Sequence, residues 1–343
     1  MILDAESYAQ VGRVERFVRE TAEGRLKTEL FASVVELNTN ICSSASDAVA
    51  ALRSLRTEAV RTAEEHDLAV AAAGSHPLSI PEEQPIADED RYRRFVDYAG
   101  ITAKRQGVNG LHVHVGMPSP EACFDVLEAI LPWLPLVLAL SANSPYLAGH
   151  ETGMLSIRAE VLGALPRSGA PPAFGSYEGW ERFIERMKRS GLSLADDYTS
   201  FWWDVRPHPR FGTLEIRMPD QPTSLARSAA LVALLQALCR AAVDGGSSGP
   251  AERGDYQQNR WAAARFGPRA ELLHPDGDHV ASVPQLWSEL RERLAPAVTE
   301  LGTEELVAGL DEAGRCEADD QLELGRERGL EAVCADLVSR SLP

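Results

Sequence analysis

Four short segments that place charged or imidazole side chains at alternate positions constrain this chain more than any other feature. They are VVELNT (34–39), LHVHVG (111–116), FWWDVRP (201–207) and GTLEIRM (212–218). In a β-strand, residues two apart share a face at about 6.5–7 Å. Glu36 and Asn38 therefore share one face, with Val35 and Leu37 on the other. By the same rule His112 and His114 oppose Val113 and Val115, Asp204 and Arg206 oppose Trp203 and Val205, and Glu215 and Arg217 oppose Leu214 and Ile216. One such strand is the ordinary pattern of a sheet with a wet face. Four of them, rich in His, Glu, Asp and Arg rather than Ser, Thr or Lys, predict a single sheet. Its apolar face meets helices and its polar face lines a charged cleft, which is an α+β arrangement.

Helical periodicity supplies the other layer. Residues 45–66 carry Val49, Leu52, Leu55, Ala59 and Ala63 at three- and four-residue spacing, with Ser46 as the expected N-cap. Further helices are expected over 88–106, 121–140 (irregular at Pro132 and Pro135), 176–190 and 224–243. The last is apolar nearly all round, which suits a helix packed between layers. Residues 68–81 read as a buried strand running into a loop, 245–258 as a surface loop, and 284–340 as a helical carboxy-terminal part.

Charge and composition narrow the function. The 343 residues hold 34 Lys+Arg against 51 Asp+Glu, a formal net charge of −17. A body this acidic repels phosphate backbones, so nucleic acid is not an expected partner. The most apolar stretch, 129–140, is short and interrupted by proline, whereas a membrane span needs about 20 apolar residues. The opening MILDAESYAQ lacks a basic segment followed by an apolar one. Five scattered cysteines without a CxxC fit a reduced, cytoplasmic compartment.

The residue types of the cleft indicate its chemistry. Clustered carboxylates repel, and their pKa values rise unless a cation neutralises them. Glu36 and Glu215 with one histidine offer hard oxygen ligands plus an imidazole, a set suited to Mg²⁺ or Mn²⁺. Arg206 and Arg217 can hold phosphate or carboxylate in bidentate fashion. Together these describe phosphoryl transfer from a nucleotide. No GxxxxGK[ST] and no helix-opening GxGxxG occurs, so a nucleotide would be held through metal and side chains. Elsewhere, His76 lies in a loop where a structural and a substrate role are both open. His150 and Glu151 read as surface residues, His208 as an exposed hairpin residue, and Trp202 and Trp203 as packing. Cys42 reads as buried and inert.

GLHVHVG, SANSPYLAGHETGMLSIRAEVLGALPRSG, FWWDVRPHPRFGTLEIRMPDQPT and NRWAAARFG resemble, in order and spacing, the carboxylate–amine ligases of the type 2 glutamate–cysteine ligase family. VVELNTNIC followed by AAAGSHPLS matches that family's upstream part, so the resemblance covers nearly all of residues 20–340. It implies one domain over 1–343 with a glutamine-synthetase-like fold, an antiparallel sheet curved into a funnel with flanking helices. The implied reaction uses ATP and Mg²⁺ or Mn²⁺ to phosphorylate the γ-carboxylate of glutamate, after which the amine of cysteine or another acceptor attacks. A homodimer is among the assemblies left open. Carried over by position, Glu36, His112 and Glu215 would be metal ligands, with His114 beside them nearer the substrate. Arg158 and Arg217 would hold phosphate or the substrate carboxylate, with Arg260 a further nucleotide-side position and Asp204 a motif position without an assigned role.

The family begins with a strand carrying Gly-x-Glu-x-Glu, and nothing in residues 1–30 reads as that strand; Glu29, in TELF, matches a different position. The expected fold therefore lacks its amino-terminal strand, and a non-catalytic protein on the same scaffold stays open. A zinc-dependent amidohydrolase-type hydrolase is the other alternative, because His-x-His on a strand also opens such metal sites. That architecture needs further histidines at strand ends, and the remaining ones here read as loop or helix residues.

Overall fold

Alternation and periodicity resolve into two polar-faced sheets with helices packed behind them. The computed structural model describes residues 1–191, 194, 198–245 and 251–343. Strand β1 (Ile2–Asp4) pairs with β5 (Leu68–Val70). Strands β2 (Arg19–Thr21), β3 (Gly24–Thr28) and β4 (Val35–Thr39) form a three-stranded meander. A second three-stranded sheet has the order β6 (Val113–Gly116), β10 (Thr213–Ile216), β9 (Val205–His208). Two small hairpins, β7 (Tyr146–Leu147) with β8 (His150–Glu151) and β11 (Glu271–Leu273) with β12 (Val280–Ser282), complete the strands. All these pairs are antiparallel.

The four polar-faced segments do not form a single sheet as expected. Three share the β6–β10–β9 sheet and the fourth, β4, belongs to the other. Alternation reports which side chains share a face; the pairing partner depends on contacts distant in sequence. Residues 1–30 hold three strands of their own, none with the Gly-x-Glu-x-Glu pattern.

The helices are α1 (Ala45–Glu64), α2 (Asp90–Ala99), α3 (Ile101–Lys104), α4 (Pro120–Ile130), α5 (Leu134–Ser141), α6 (Ile157–Gly163) and α7 (Tyr177–Ser190). They continue as α8 (Leu225–Gly245), α9 (Arg253–Phe266), α10 (Val283–Leu301), α11 (Glu304–Val307), α12 (Glu317–Arg328) and α13 (Leu330–Arg340). The cap of α1 is Ser44 rather than Ser46: its side chain accepts from the backbone N–H of Asp47. The expected helix over 88–106 breaks at Gly100, whose φ is +57°. Proline turns the 121–140 segment into α4, a 3-10 turn over Leu131–Trp133, and α5. The loop expected over 245–258 is shorter than that: α8 reaches Gly245, 246–250 fall outside the described residues, and α9 is helical from Arg253.

Val113, Val205, Leu214 and Ile216 on the back of the second sheet join Leu127 of α4, Leu231 and Leu234 of α8 and Leu290 of α10 in the main core. A smaller core packs Leu26 and Val35 of the first sheet against Leu55, Ala59 and Ala63 of α1, together with Ile2 and Phe17. Helix α1 packs on α8, and the buried Arg56 of α1 donates to the Thr223 carbonyl at 2.7 Å, tying the two halves. Two helical stretches, Pro120–Ser141 and Leu225–Gly245, are long and apolar enough to cross a membrane. Their most apolar windows are 83% and 56% buried within the protein, so both are core helices here. With both apolar faces covered, the polar faces border a cavity of about 600 Å³.

Candidate active site

Glu215 organises the charged face of the second sheet. Its register partners are His114 on β6 and Arg206 on β9, so alternation and pairing together gather the charged side chains around it. Arg206 donates to Glu215 Oε2 through Nε at 2.7 Å, and Arg217 donates to Oε1 at 2.5 Å. Burial alone would raise the Glu215 pKa; the Arg217 and Arg206 guanidinium groups reverse this and hold it well below the usual carboxylate range. The remaining Arg206 donor, Nη1, points at the carbonyls of Thr199 (2.8 Å) and Phe201 (2.6 Å). Arg206 is therefore fully engaged as a brace. His114 Nε2 and His112 Nδ1 stand 3.9 and 4.0 Å from Glu215 Oε1. Crowding by protein, with Arg217 beside it, holds His112 well below its ordinary pKa, so it is neutral and able to accept. His114 is held lower for the same first reason, and its Nδ1 pairs with Thr213 Oγ1 at 3.0 Å.

Glu36 stands on the other sheet, lining the cavity with His112, Arg158 and Arg217. Lys27, its register partner on β3, pairs with Glu36 Oε2 at 3.1 Å, and Asn38 Nδ2 donates to Oε1 at 3.1 Å. Glu29 lines the same cavity and has its pKa raised, first by burial and then by the charge of Glu36. This second carboxylate was not among the expected ligands. The signal was present, since Glu29 is two residues from Lys27 and continues the parity of the face that Lys27 shares with Glu36.

Among the described residues no three His, Cys, Asp or Glu side chains converge as a ready-made metal cage. Of the expected set, Glu36 and His112 both line the cavity, and Glu215 is buried next to His112, its Oε1 4.0 Å from His112 Nδ1. Glu29, with its raised pKa, and Glu36, paired with Lys27, are two carboxylates that line the cavity. Mg²⁺ characteristically takes one or two carboxylates and completes its shell with water and substrate phosphates.

The expected arginines divide. Arg217 lies in the cavity wall, also pairing with His112 Nδ1 at 3.4 Å. Arg158 borders the cavity too, but its guanidinium donates to the carbonyls of Met218 (3.0 Å) and Arg217 (2.8 Å). It fixes the chain that carries Arg217. Arg260 does not reach the cavity lining. It is buried on α9 and bound to Asp204 Oδ2 at 2.7 Å, where Tyr256 also donates at 2.8 Å. An arginine in a matching motif can serve the core as well as a ligand, and sequence does not separate the two. His208 likewise departs from expectation: it is buried, stacked on Phe211 with ring centroids 4.2 Å apart and edge-on to His114 at 5.1 Å. His76 is buried and structural, and Cys42 is half-buried rather than buried. His150 and Glu151 are exposed, Glu151 pairing with Arg326.

A family model described as glutamate–cysteine ligase family 2 matches residues 3–336. The chain belongs to this family. A protein of Rubrobacter xylanophilus named "Putative glutamate--cysteine ligase 2-3" is 39% identical over 97% of this chain and 92% of its own length. A second one from that organism, "Putative glutamate--cysteine ligase 2-1", is 35% identical over 90% of this chain and 83% of its own. Among solved structures, glutamate–cysteine ligase of Francisella tularensis in complex with AMP superposes with a TM-score of 0.72 at 15% identity, covering 100% of this chain and 86% of that one. A bifunctional glutathione synthetase of Pasteurella multocida gives 0.69 at 14% identity, covering 99% and 50%. At such identities these structures speak to the fold: the α+β arrangement of antiparallel strands flanked by helices is common to this member of glutamate–cysteine ligase family 2 and to them.

Proposed function

We propose that this chain is an ATP-dependent carboxylate–amine ligase that activates the γ-carboxylate of glutamate and transfers it to an amine. The observation that carries the reading is one cavity lined by Glu29, Glu36, His112 and Arg217, with Arg217 bound to the Glu215 carboxylate that Arg206 braces. A divalent ion, Mg²⁺ or Mn²⁺, would be held by Glu29, Glu36 and His112 of the cavity lining together with Glu215 next to His112, and would supply charge neutralisation for the nucleotide phosphates. Arg217 holds the transferring phosphate or the glutamate carboxylate, and Arg206 keeps Glu215 aimed. His114 stands beside Glu215, nearer the substrate, and neutral His112 accepts a hydrogen bond.

The γ-carboxylate oxygen attacks the terminal phosphorus, ADP leaves, and an acyl phosphate forms. The acceptor amine then attacks the acyl carbon, the C–O bond to phosphate breaks, and the nitrogen loses one proton as the amide forms. Orientation of two anions and exclusion of water account for the rate enhancement that such a site provides. The test is phosphate release from ATP, expected only when glutamate, an amine and divalent metal are all present. Glu215→Gln should lower it at least about 100-fold, the scale seen when a preorganised charged group is removed, while circular dichroism stays that of the parent. Parent-like turnover by the variant would remove Glu215 from the machinery.

A further inference from the structure

Beyond Glu29 and Glu36 the cavity continues into a section of different character. Phe31, Phe95, Leu162, Leu165 and Trp202 wall it. Phe95 and Trp202 meet with ring centroids 5.2 Å apart, and Leu162 and Trp202 are only partly buried, so apolar surface faces the space. Apolar walls beside a few convergent charged groups are the usual make-up of a small-molecule site.

Three components must occupy a carboxylate–amine ligase. The triphosphate and its metal need charged partners and glutamate is polar at both ends, so neither gains from carbon walls; the adenine ring would gain, but it has no carboxylate to meet the arginines that border this section. The acceptor is the component left. We propose that this section binds the body of the acceptor, and that the acceptor is an α-amino acid with a large apolar side chain rather than cysteine. Arg91, whose Nε pairs with Glu89 at 2.8 Å, and Arg94 border the same section and make it cationic enough to attract the acceptor's carboxylate. The assignment rests on the ligase reading above.

The full chain with ATP, Mg²⁺ and glutamate separates the two claims. Hydroxylamine traps the activated glutamyl group as a hydroxamate whatever the natural acceptor is, so hydroxamate formation tests activation alone. L-leucine, L-phenylalanine, L-cysteine and glycine then test the acceptor. A kcat/KM for leucine or phenylalanine at least about tenfold above that for cysteine is expected, the scale on which apolar pockets discriminate. Leu162→Ala should reduce that ratio several-fold, and Trp202→Leu replaces it should Leu162→Ala fail to fold. A preference for cysteine or glycine overturns the assignment. So does a Leu162→Ala variant whose ratio is unchanged while its KM for ATP rises, which would give the wall to the purine base. A parent that forms no hydroxamate overturns the ligase reading itself.

Discussion

At the scale of single residues, close approach around Arg158 sets the sharpest constraint. A Cβ at Gly110 would overlap the Arg158 guanidinium, which is already fixed by two carbonyls of the segment carrying Arg217. Gly110→Ala should displace that guanidinium and cost about 1–3 kcal/mol through the hydrogen bonds lost, with a matching fall in the urea midpoint. His76 gives a pH prediction. Its Nδ1 accepts from the N–H groups of Leu78 and Ser79, its Nε2 faces the Tyr8 carbonyl, and burial pulls its pKa down to about 4. Between about pH 6.5 and 4 the unfolded chain binds a proton at this position that the folded chain refuses. The stability contributed by His76 therefore falls as pH drops through that window, by roughly 3 kcal/mol in all. His76→Asn, whose side-chain oxygen can accept from the same two N–H groups, should flatten the stability-versus-pH curve there; an unchanged slope would show that other groups carry it.

At the scale of elements, boundaries follow capping chemistry more than periodicity. Hydrophobic spacing locates α1, but both Ser44 and Ser46 are good caps, and only the direction of the incoming chain selects Ser44. Ser44→Ala should cost about 1 kcal/mol, and Ser46→Ala only a few tenths, both readable from thermal unfolding. The strands show the same limit. Parity within VVELNT and GTLEIRM correctly divides apolar from polar faces, because the side-chain period of two is a local property. It carries no information about partners, so the assignment of β4 to a separate sheet was not legible.

At the scale of the whole molecule, a buried polar cluster joins segments far apart in sequence. Asp220 is fully buried and accepts from Asn143 N (2.9 Å), Ser144 Oγ (2.6 Å) and Ser156 Oγ (2.7 Å), with Arg158 Nη1 at 3.8 Å. It locks the start of α6, and hence Arg158, to the chain just beyond β10. Asp220→Ala should destabilise by about 3–5 kcal/mol, because it leaves three donors without their acceptor and the buried Arg158 guanidinium without its counter-charge. Ligase turnover should fall in any fraction that remains folded. A variant with parent stability and turnover would mean that Arg158 is positioned from elsewhere.

The amino-acid sequence by itself determined the polar and apolar faces of the strands, the helical layer, the acidic character and the family. These follow from local period, composition and motif order. Tertiary structure alone decided which polar groups share one cavity. It set Glu29 beside Glu36, enclosed Arg206 and Arg158 as braces, and buried Arg260 against Asp204. The reason is physical: a guanidinium binds a backbone carbonyl, a buried carboxylate or a substrate phosphate through the same donors, and only the packed chain determines which of these lies within reach.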